Sequence, residues 1–402
     1  MMEAVAKKLA VKSVPTLRFG PFKEEWNMTL LGELARVTTG DKDTQNRKEG
    51  GHYPFFVRSD TVERIDTYSY EGKAILTSGD GVGVGKNFHY IDGRFDFHQR
   101  VYCICDFALG VDAEFVYHYF SQAFYRRVMR MSAKNSVDSV RRDMVVEMPF
   151  PRPTLPEQQN IASFLSAVDA KVRQLTRKKA LLEQYKKGVM QQLFSQELRF
   201  KRMDGTPSRG ASATKGAAYP EWEEKRLGSI SKSFSGGTPR TGTPEYYNGT
   251  IPFIRSAEIN SERTELHISE EGLSNCSSKM VQKGDLLFAM YGATAGEIGI
   301  SRIDGAINQA ILCIRLKKDD VFYIYSYFLF MKERILSTYL QGGQGNLSGG
   351  IVNDTMIPLP SLEEQQRIAG FLMALDAKVA AVGKEVEAAQ RWKKGLLQQM
   401  FV

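Results

Sequence analysis

Two stretches of the chain carry apolar residues at spacings of three and four. The first holds Ile161, Leu165, Val168, Val172, Leu175, Leu182, Val189 and Leu193. The second holds Ile368, Leu372, Leu375, Val379, Val382, Val386, Ala389, Leu396 and Met400. That period predicts two long helices with a narrow coiled-coil seam. Each opens on a Ser/Thr-x-x-Glu box, Thr154 to Glu157 and Ser361 to Glu364. There the hydroxyl can accept an unpaired N–H while the glutamate reaches back. Pro156 is tolerated in a first turn. Lys186 and Lys393 fall on the seam at matching positions. A seam lysine either fixes register at some cost in stability or lays its stem on the seam with the ammonium in water. Helices of about 40 residues are about 60 Å long, so an antiparallel pair can serve as a spacer.

Elsewhere the pattern is that of short strands. YPFFVRSDTV, KAILTSG and FHQRVYCICDF are rich in β-branched and aromatic residues, as are TIPFIRSAEI, DLLFAMYG and QAILCIRL further on. Each set runs into an aromatic helical stretch, 114–131 and 320–340, whose rings at helical spacing predict core packing. Residues 203–218 are small and polar without period, a flexible linker.

The two halves are copies. TLPEQQNIASFLSAVDAKV (154–172) matches SLEEQQRIAGFLMALDAKV (361–379), and the register holds to KKGVMQQLF and KKGLLQQMF. Across 154–194 against 361–401, 19 of 41 positions are identical. A second repeat opens each half, pairing Trp26 with Trp222 and Leu31-Gly32 with Leu227-Gly228. Leu17-Arg18-Phe19 recurs as Leu198-Arg199-Phe200, just past the first helix copy. The chain thus starts with a segment whose twin comes after a helix copy, and it ends inside a helix copy. A cyclic two-fold arrangement cut at one point would have that form. Between the repeats the segments share only scattered pairs. These are Arg58-Ser59 with Arg255-Ser256, Ile91-Asp92-Gly93 with Ile303-Asp304-Gly305, His98-Gln99 with Asn308-Gln309, and Cys103-Ile104 with Cys313-Ile314. The scaffold is duplicated and the segments it carries have diverged.

Composition is that of an ordinary globular protein of 402 residues, with a formal charge of +8. Residues 157–215 hold 12 Lys/Arg against 5 Asp/Glu, so most of the excess sits on the first long helix and the linker. Such an excess is a solvated face or a surface for phosphates. Four cysteines without metal-ligand spacing read as reduced thiols, and five histidines show no zinc spacing. With no signal peptide and no long apolar run, the expected compartment is cytoplasmic. The loop 79–86 invites a phosphate-loop reading and fails it. Asp80 stands where the pattern needs glycine, and Asn87 follows Lys86 in place of Ser/Thr. The chain carries no Asn-Pro-Pro-aromatic methyltransferase motif, no nuclease core of carboxylates and lysine, and no helicase motif.

The repeated E-Q-Q-x-I-A-x-F-L-x-x-x-D-A-K-V with K-K-G-x-x-Q-Q-x-F resembles the conserved helical regions of type I restriction-modification specificity subunits. So do Gly237-Thr238-Pro239, the run 284–289 with Tyr291 to Gly296, and Gln344 to Ser348. The resemblance implies an α+β fold with an internal pseudo-two-fold repeat: two target-recognition domains joined by two long antiparallel coiled-coil helices. The expected boundaries are 1–150 and 219–357 for the two domains, 151–202 and 358–402 for the helices, and 203–218 for the linker. No segment extends past Phe401-Val402, so closure of the ring would depend on the tail 1–20.

The resemblance also implies a subunit with no catalytic centre and no cofactor of its own. It would bind double-stranded DNA and recruit two methyltransferase subunits, then motor-nuclease subunits. S-adenosylmethionine, ATP and Mg²⁺ would be held by those partners. Each domain would read half of a split, asymmetric target. Half-sites one DNA turn apart lie about 34 Å from centre to centre, within reach of the helical spacer. Base-edge contacts are expected from Arg58, Lys86, His98, Gln99 and Arg100, then Arg255, Tyr291, Asn308, Gln309 and Asn346. Arg reads guanine, and Gln or Asn reads adenine, by paired hydrogen bonds. The pairs shared between the halves, His98-Gln99 and Asn308-Gln309, can equally shape the fold. Two other readings stay open. One is a self-contained DNA methyltransferase or nuclease with unrecognised motifs. The other is a non-reading scaffold or decoy that sequesters methyltransferase subunits.

Overall fold

The computed structural model describes residues 14–131, 139–202, 219–340 and 347–401. The expected linker 203–218, residues 1–13 of the tail and Asn346 lie outside these. The chain divides into two compact units, Met1–Arg177 with Gly383–Val402, and Lys178–Val382. Four long helices are α1 (Ala113–Met131), α2 (Leu155–Phe194), α3 (Val321–Leu340) and α4 (Leu362–Met400). Each unit takes one of the shorter two, the opening of the long helix next in sequence, and the close of the other long helix.

The first unit has strands β1 (Asn27–Leu30), β2 (Arg36–Thr39), β3 (Tyr53–Phe56), β4 (Val62–Ile65), β5 (Tyr70–Ser78), β6 (Phe88–Phe97), β7 (Val101–Cys105) and β8 (Pro149–Arg152). Six form a sheet in the order β2-β7-β5-β6-β3-β4, and β1 pairs with β8. All pairs in the six-stranded sheet are antiparallel except β3 with β6. Ile75 and Ile104 sit opposite each other and belong to the core under α1, with Phe115, Phe120 and Phe124. Ile161 and Leu165 of α2 and Leu396 and Met400 of α4 complete that core.

The second unit has β9 (Glu223–Arg226), β10 (Ser231–Ser235), β11 (Ile251–Ile254), β12 (Leu266–Ile268), β13 (Lys279–Val281), β14 (Leu286–Ala289), β15 (Ile298–Ile300), β16 (Gly305–Ile307), β17 (Ile311–Leu316) and β18 (Met356–Leu359). Its sheets run β10-β17-β14-β15 and β12-β11-β16-β13, and β18 pairs with β9. The parallel pair recurs as β11 with β16. The halves differ at two strands: β5 runs unbroken from Tyr70 to Ser78, whereas its counterpart is split into β13 and β14. β6 runs ten residues and belongs to a single sheet, whereas its counterpart breaks at Ser301–Asp304 into β15 and β16. One close approach occurs in both. A Cβ on Gly40 would meet the carbonyl oxygen of Phe97, and one on Gly236 that of Ile307, so only glycine lets the chain cross there.

The seam is dry at its ends. Ile161, Leu165, Val189 and Leu193 are buried on α2, as are Ile368, Leu372, Leu396 and Met400 on α4. Val172, Leu182, Val379 and Val386 are less completely covered. In the first unit Asp169 of α2 pairs with Lys393 of α4. There also Leu17 N–H donates to the Gln399 carbonyl while adjacent Arg18 grips Glu157. Later residues of α4 therefore lie beside earlier residues of α2, an antiparallel contact. The second unit repeats it, with Lys186 on Asp376 and Arg199 on Glu364. Both seam lysines thus place their ammonium in an interhelical ion pair.

The repeated Glu-Gln has a structural explanation that the helix-cap reading missed. Glu157 is 1% exposed. Its Oε1 accepts from Arg18 Nε at 2.6 Å, and its Oε2 from Arg18 Nη2 at 2.8 Å and Trp26 Nε1 at 3.2 Å. Glu364, at 0% exposure, accepts from Arg199 Nε at 3.1 Å, Arg199 Nη2 at 2.8 Å and Trp222 Nε1 at 3.1 Å. These carboxylates hold the preceding segment and do not turn back onto the helix start. Of the expected box, Ser361 Oγ accepts from Glu364 N–H at 3.4 Å. Next in line, Gln158 accepts from Asp112 N–H and donates to the Pro153 carbonyl, both at 2.9 Å. Gln365 repeats this with Asp320 and Pro360.

In the first unit a buried histidine sits among half-buried polar groups. His118 Nε2 lies 3.3 Å from Ser166 Oγ, which donates to Glu114 at 2.7 Å, and Nδ1 is 4.0 Å from Asp169. Burial pushes the His118 imidazole down from 6.5 to about 4, so it is neutral in the folded protein at pH 7. Between those values the unfolded chain takes up a proton that the folded chain refuses. Stability is therefore lost as pH falls from about 6.5 to about 4, by about 3 kcal/mol when the window is crossed. Thermal melts at pH 7 and pH 5 should show a smaller acid-side drop for His118→Leu than for the unaltered chain. Equal drops would place the acid sensitivity elsewhere.

Candidate nucleic-acid interface

In the first unit the chain brings the turn 98–100, the loop after β3, the loop 79–87 and the segment after β2 to one place. His98 N–H donates to the Phe56 carbonyl at 2.9 Å, Gln99 N–H to that of Lys42 at 2.9 Å, and Gly79 N–H to that of Arg100 at 2.7 Å. The second unit builds the same crossing. Asn308 N–H donates to the Ile254 carbonyl at 3.2 Å, Met290 N–H to that of Ala310 at 2.8 Å, and Gly237 N–H to that of Ile307 at 3.2 Å. Two scaffolds thus present matching loops with different side chains.

Arg58, His98, Gln99 and Arg100 meet here, with Lys86 on the neighbouring loop. Arg58 donates to Asp80 at 3.2 Å, and Arg100 lies 3.8 Å from the other oxygen of the same carboxylate. Lys86 is exposed, its Nζ 6.0 Å from the centre of the Tyr125 ring, a cation–π distance. Gln99 is exposed and donates to Asp43 at 3.3 Å. His98 differs from the expectation of a surface reader, because it is 2% exposed. Its Nδ1 accepts Arg100 N–H at 2.8 Å, which closes the turn. Burial, then the Arg58 guanidinium, pushes its pKa down.

The second cluster holds Arg255, Tyr291, Asn308 and Gln309. Asn308 does what His98 does: its Oδ1 accepts Ala310 N–H at 3.2 Å. The recurrence of this pair reflects a side-chain acceptor that the turn requires. Arg255 also departs from expectation. It donates to Glu258 at 3.0 and 3.2 Å and to Glu265 at 2.5 Å, so its Nε and Nη2 edge is already taken. Those hydrogen bonds, Glu258 first, push its pKa up. Tyr291 is half-buried against the core, which raises its hydroxyl. Gln309 is exposed, with its Oε1 accepting from Thr238. The acids Asp43, Asp80, Glu258 and Glu265, which decide how each basic or amide group is held, were missed in the sequence. Only the Asp43-x-x-Asn46 spacing gave a local signal, and it is a capping box around a 3-10 turn.

Among the described residues no helix is long and apolar enough to cross a membrane. The sequence profile of the type I restriction modification DNA specificity domain matches twice, at residues 23–184 and 219–388. A stretch of 193 residues is 30% identical to the MjaIX type I restriction enzyme specificity subunit of Methanocaldococcus jannaschii. It covers 45% of this chain and 44% of that protein, less than half of the relative's length. Over 405 residues the chain is 20% identical to the EcoDI type I restriction enzyme specificity subunit of Escherichia coli, covering 95% of this chain and 88% of that one. In fold it is similar to the type I restriction-modification system S subunit from M. genitalium, with a TM-score of 0.66 at 16% identity over 97% of this chain and 99% of the other. With both copies of the specificity domain present over most of its length, the chain belongs to the type I restriction-modification DNA specificity family.

Proposed function

We propose that this chain is the specificity subunit of a type I restriction-modification complex, reading a bipartite, asymmetric double-stranded DNA target. One observation carries the reading. The same loop crossing is built twice, on a duplicated scaffold, with different side chains at its surface. Residues 1–150 and 219–357 are the two readers. Residues 151–202 and 358–402 are the helices that set the gap, and 203–218 link the halves. The first cluster offers Lys86, Gln99 and Arg100 to bases or phosphates, with Arg58 available once Asp80 releases it. The second offers Gln309 and Tyr291, and Asn346 is kept as a reader on its sequence alone. His98, Asn308 and Arg255 hold the loops in shape. The basic surface of α2 adds attraction for the DNA backbone.

The subunit is non-catalytic and works in the cytoplasm, where it recruits two methyltransferase subunits and then motor-nuclease subunits. S-adenosylmethionine, ATP and Mg²⁺ act on those partners. The test is to map methylated positions in DNA from cells with and without this gene. A split motif with a fixed gap is expected to appear only with the gene. Methyl transfer by the purified chain alone, or no sequence-selective binding even with its methyltransferase partner, would overturn the assignment.

A further inference from the structure

We propose that Asp43 is a positioning residue that fixes the orientation of the Gln99 amide for reading adenine in the first half-site. The inference rests on the DNA-reading role above and names how one residue of that surface is made selective. Gln99 projects from the turn 98–100, and its Nε2 lies 3.3 Å from Asp43 Oδ2. An ionised carboxylate can only accept, so the amide nitrogen must face it. The carbonyl oxygen of Gln99 and its second N–H are left for a ligand. That is the acceptor–donor pair that matches N6 and N7 of adenine in the major groove.

Asp43 is itself held in place. Its Oδ1 accepts Gln45 N–H at 3.4 Å, and its own N–H donates to Asn46 Oδ1 at 2.7 Å, so its carboxylate is fixed by the 3-10 turn Thr44–Asn46. A second group points the same way. Because His98 Nδ1 accepts Arg100 N–H, the ring proton sits on Nε2. That Nε2 is buried without a hydrogen-bond partner, 3.9 Å from Asp43 Oδ2. The carboxylate oxygen that faces the amide therefore also has the His98 N–H group beside it. Asp43 is nevertheless half exposed, so DNA can approach the amide it holds. The second reader lacks this device. Gln309 is held by the Thr238 hydroxyl, and a hydroxyl both donates and accepts, so it fixes no polarity. The two glutamines occupy equivalent turns, and only the first is oriented.

The test uses the full chain with its methyltransferase partner and a randomised double-stranded oligonucleotide library. Asp43→Asn retains the oxygen that caps the turn and replaces the acceptor facing Gln99 with a donor, which turns the amide over. The expected result is loss of adenine preference at one position of the first half-site, about five- to 150-fold, the range of one paired contact. All other positions stay unchanged. Gln99→Ala should lose the same position, and the double variant no more than either single one. Duplexes with 7-deazaadenine at that position should bind the unaltered chain more weakly and Asp43→Asn no differently. If Asp43→Asn leaves every position intact while Gln99→Ala erases one, Asp43 is not a positioning residue. If Gln99→Ala changes nothing, the proposal fails although the chain still reads DNA. If the unaltered chain enriches no sequence, the reading role fails and the proposal with it.

Discussion

Replacing Glu157 by alanine is expected to lower the stability of the first unit by about 3 kcal/mol, within the range for removing one partner of a buried ion pair. Arg18 would keep its bond to the Glu24 carbonyl but lose both carboxylate contacts, and the Trp26 N–H would lose its acceptor. Glu364→Ala leaves Arg199 and Trp222 in the same condition. The consequences differ because of how each Leu-Arg-Phe segment is attached. Leu198 N–H donates to the Gln192 carbonyl and comes within a few residues of the end of α2. Leu17 N–H donates to the Gln399 carbonyl of α4, to which it has no nearby covalent link. Releasing residues 14–20 therefore gains more chain entropy than releasing 198–200. Thermal melts should show a fall of roughly 6–12 °C for either variant, taking 2–4 °C per kcal/mol for units of this size. Limited proteolysis should cut the N-terminal segment of Glu157→Ala first. Equal protection of that segment in both variants would mean that contacts such as Phe19 on Phe164 suffice to hold it.

The second large effect is on the target itself. Asp169–Lys393 and Lys186–Asp376 bracket the middle of α2 and α4. Removing residues 173–179 and 380–386 together takes one heptad from matching places between those pairs. Both ion pairs and the phase of the seam are kept. Each helix shortens by about 10 Å, close to three base pairs of B-DNA. The shortened protein is expected to prefer the same two half-sites with a gap about three base pairs smaller. Its affinity for the original target should fall toward the non-specific level, about 10³-fold or more. Selection from a library of half-sites at varied gaps measures this. An unchanged gap would mean that the helices do not set the spacing. Changed half-sites would mean that the readers depend on them.

The scaffold was legible because its signals are local or repeated. The seam is set by residue period, and nineteen identical positions tie its two copies together. The aromatic helices α1 and α3 and six of the strands are evident from composition alone. What stayed hidden depends on distant partners. Glu157 sits in a capping pattern, yet its carboxylate meets Arg18, 139 positions away. The strand β6 carries Asp92, Gly93, Arg94 and Asp96, which interrupt an apolar signature, so pairing with β5 decides it. At the interface, Arg58 and Arg255 begin the same Arg-Ser pair, but only Arg255 is enclosed by two glutamates brought in from positions 258 and 265. Residue type marked groups whose hydrogen bonding could match a base, and folding placed acids beside some of them.

The interhelical ion pairs also bear on how such a chain arises. A single repeat carries both Asp169 and Lys186, the acid of one pair and the base of the other. It likewise carries Glu157 and Arg199, whose counterparts complete the two buried latches. One half-length polypeptide therefore holds both partners of each of these ionic contacts. A homodimer joined through them would recognise the same bases on both sides. Joining two copies in one chain would keep these contacts while leaving the loops of each half free to change alone.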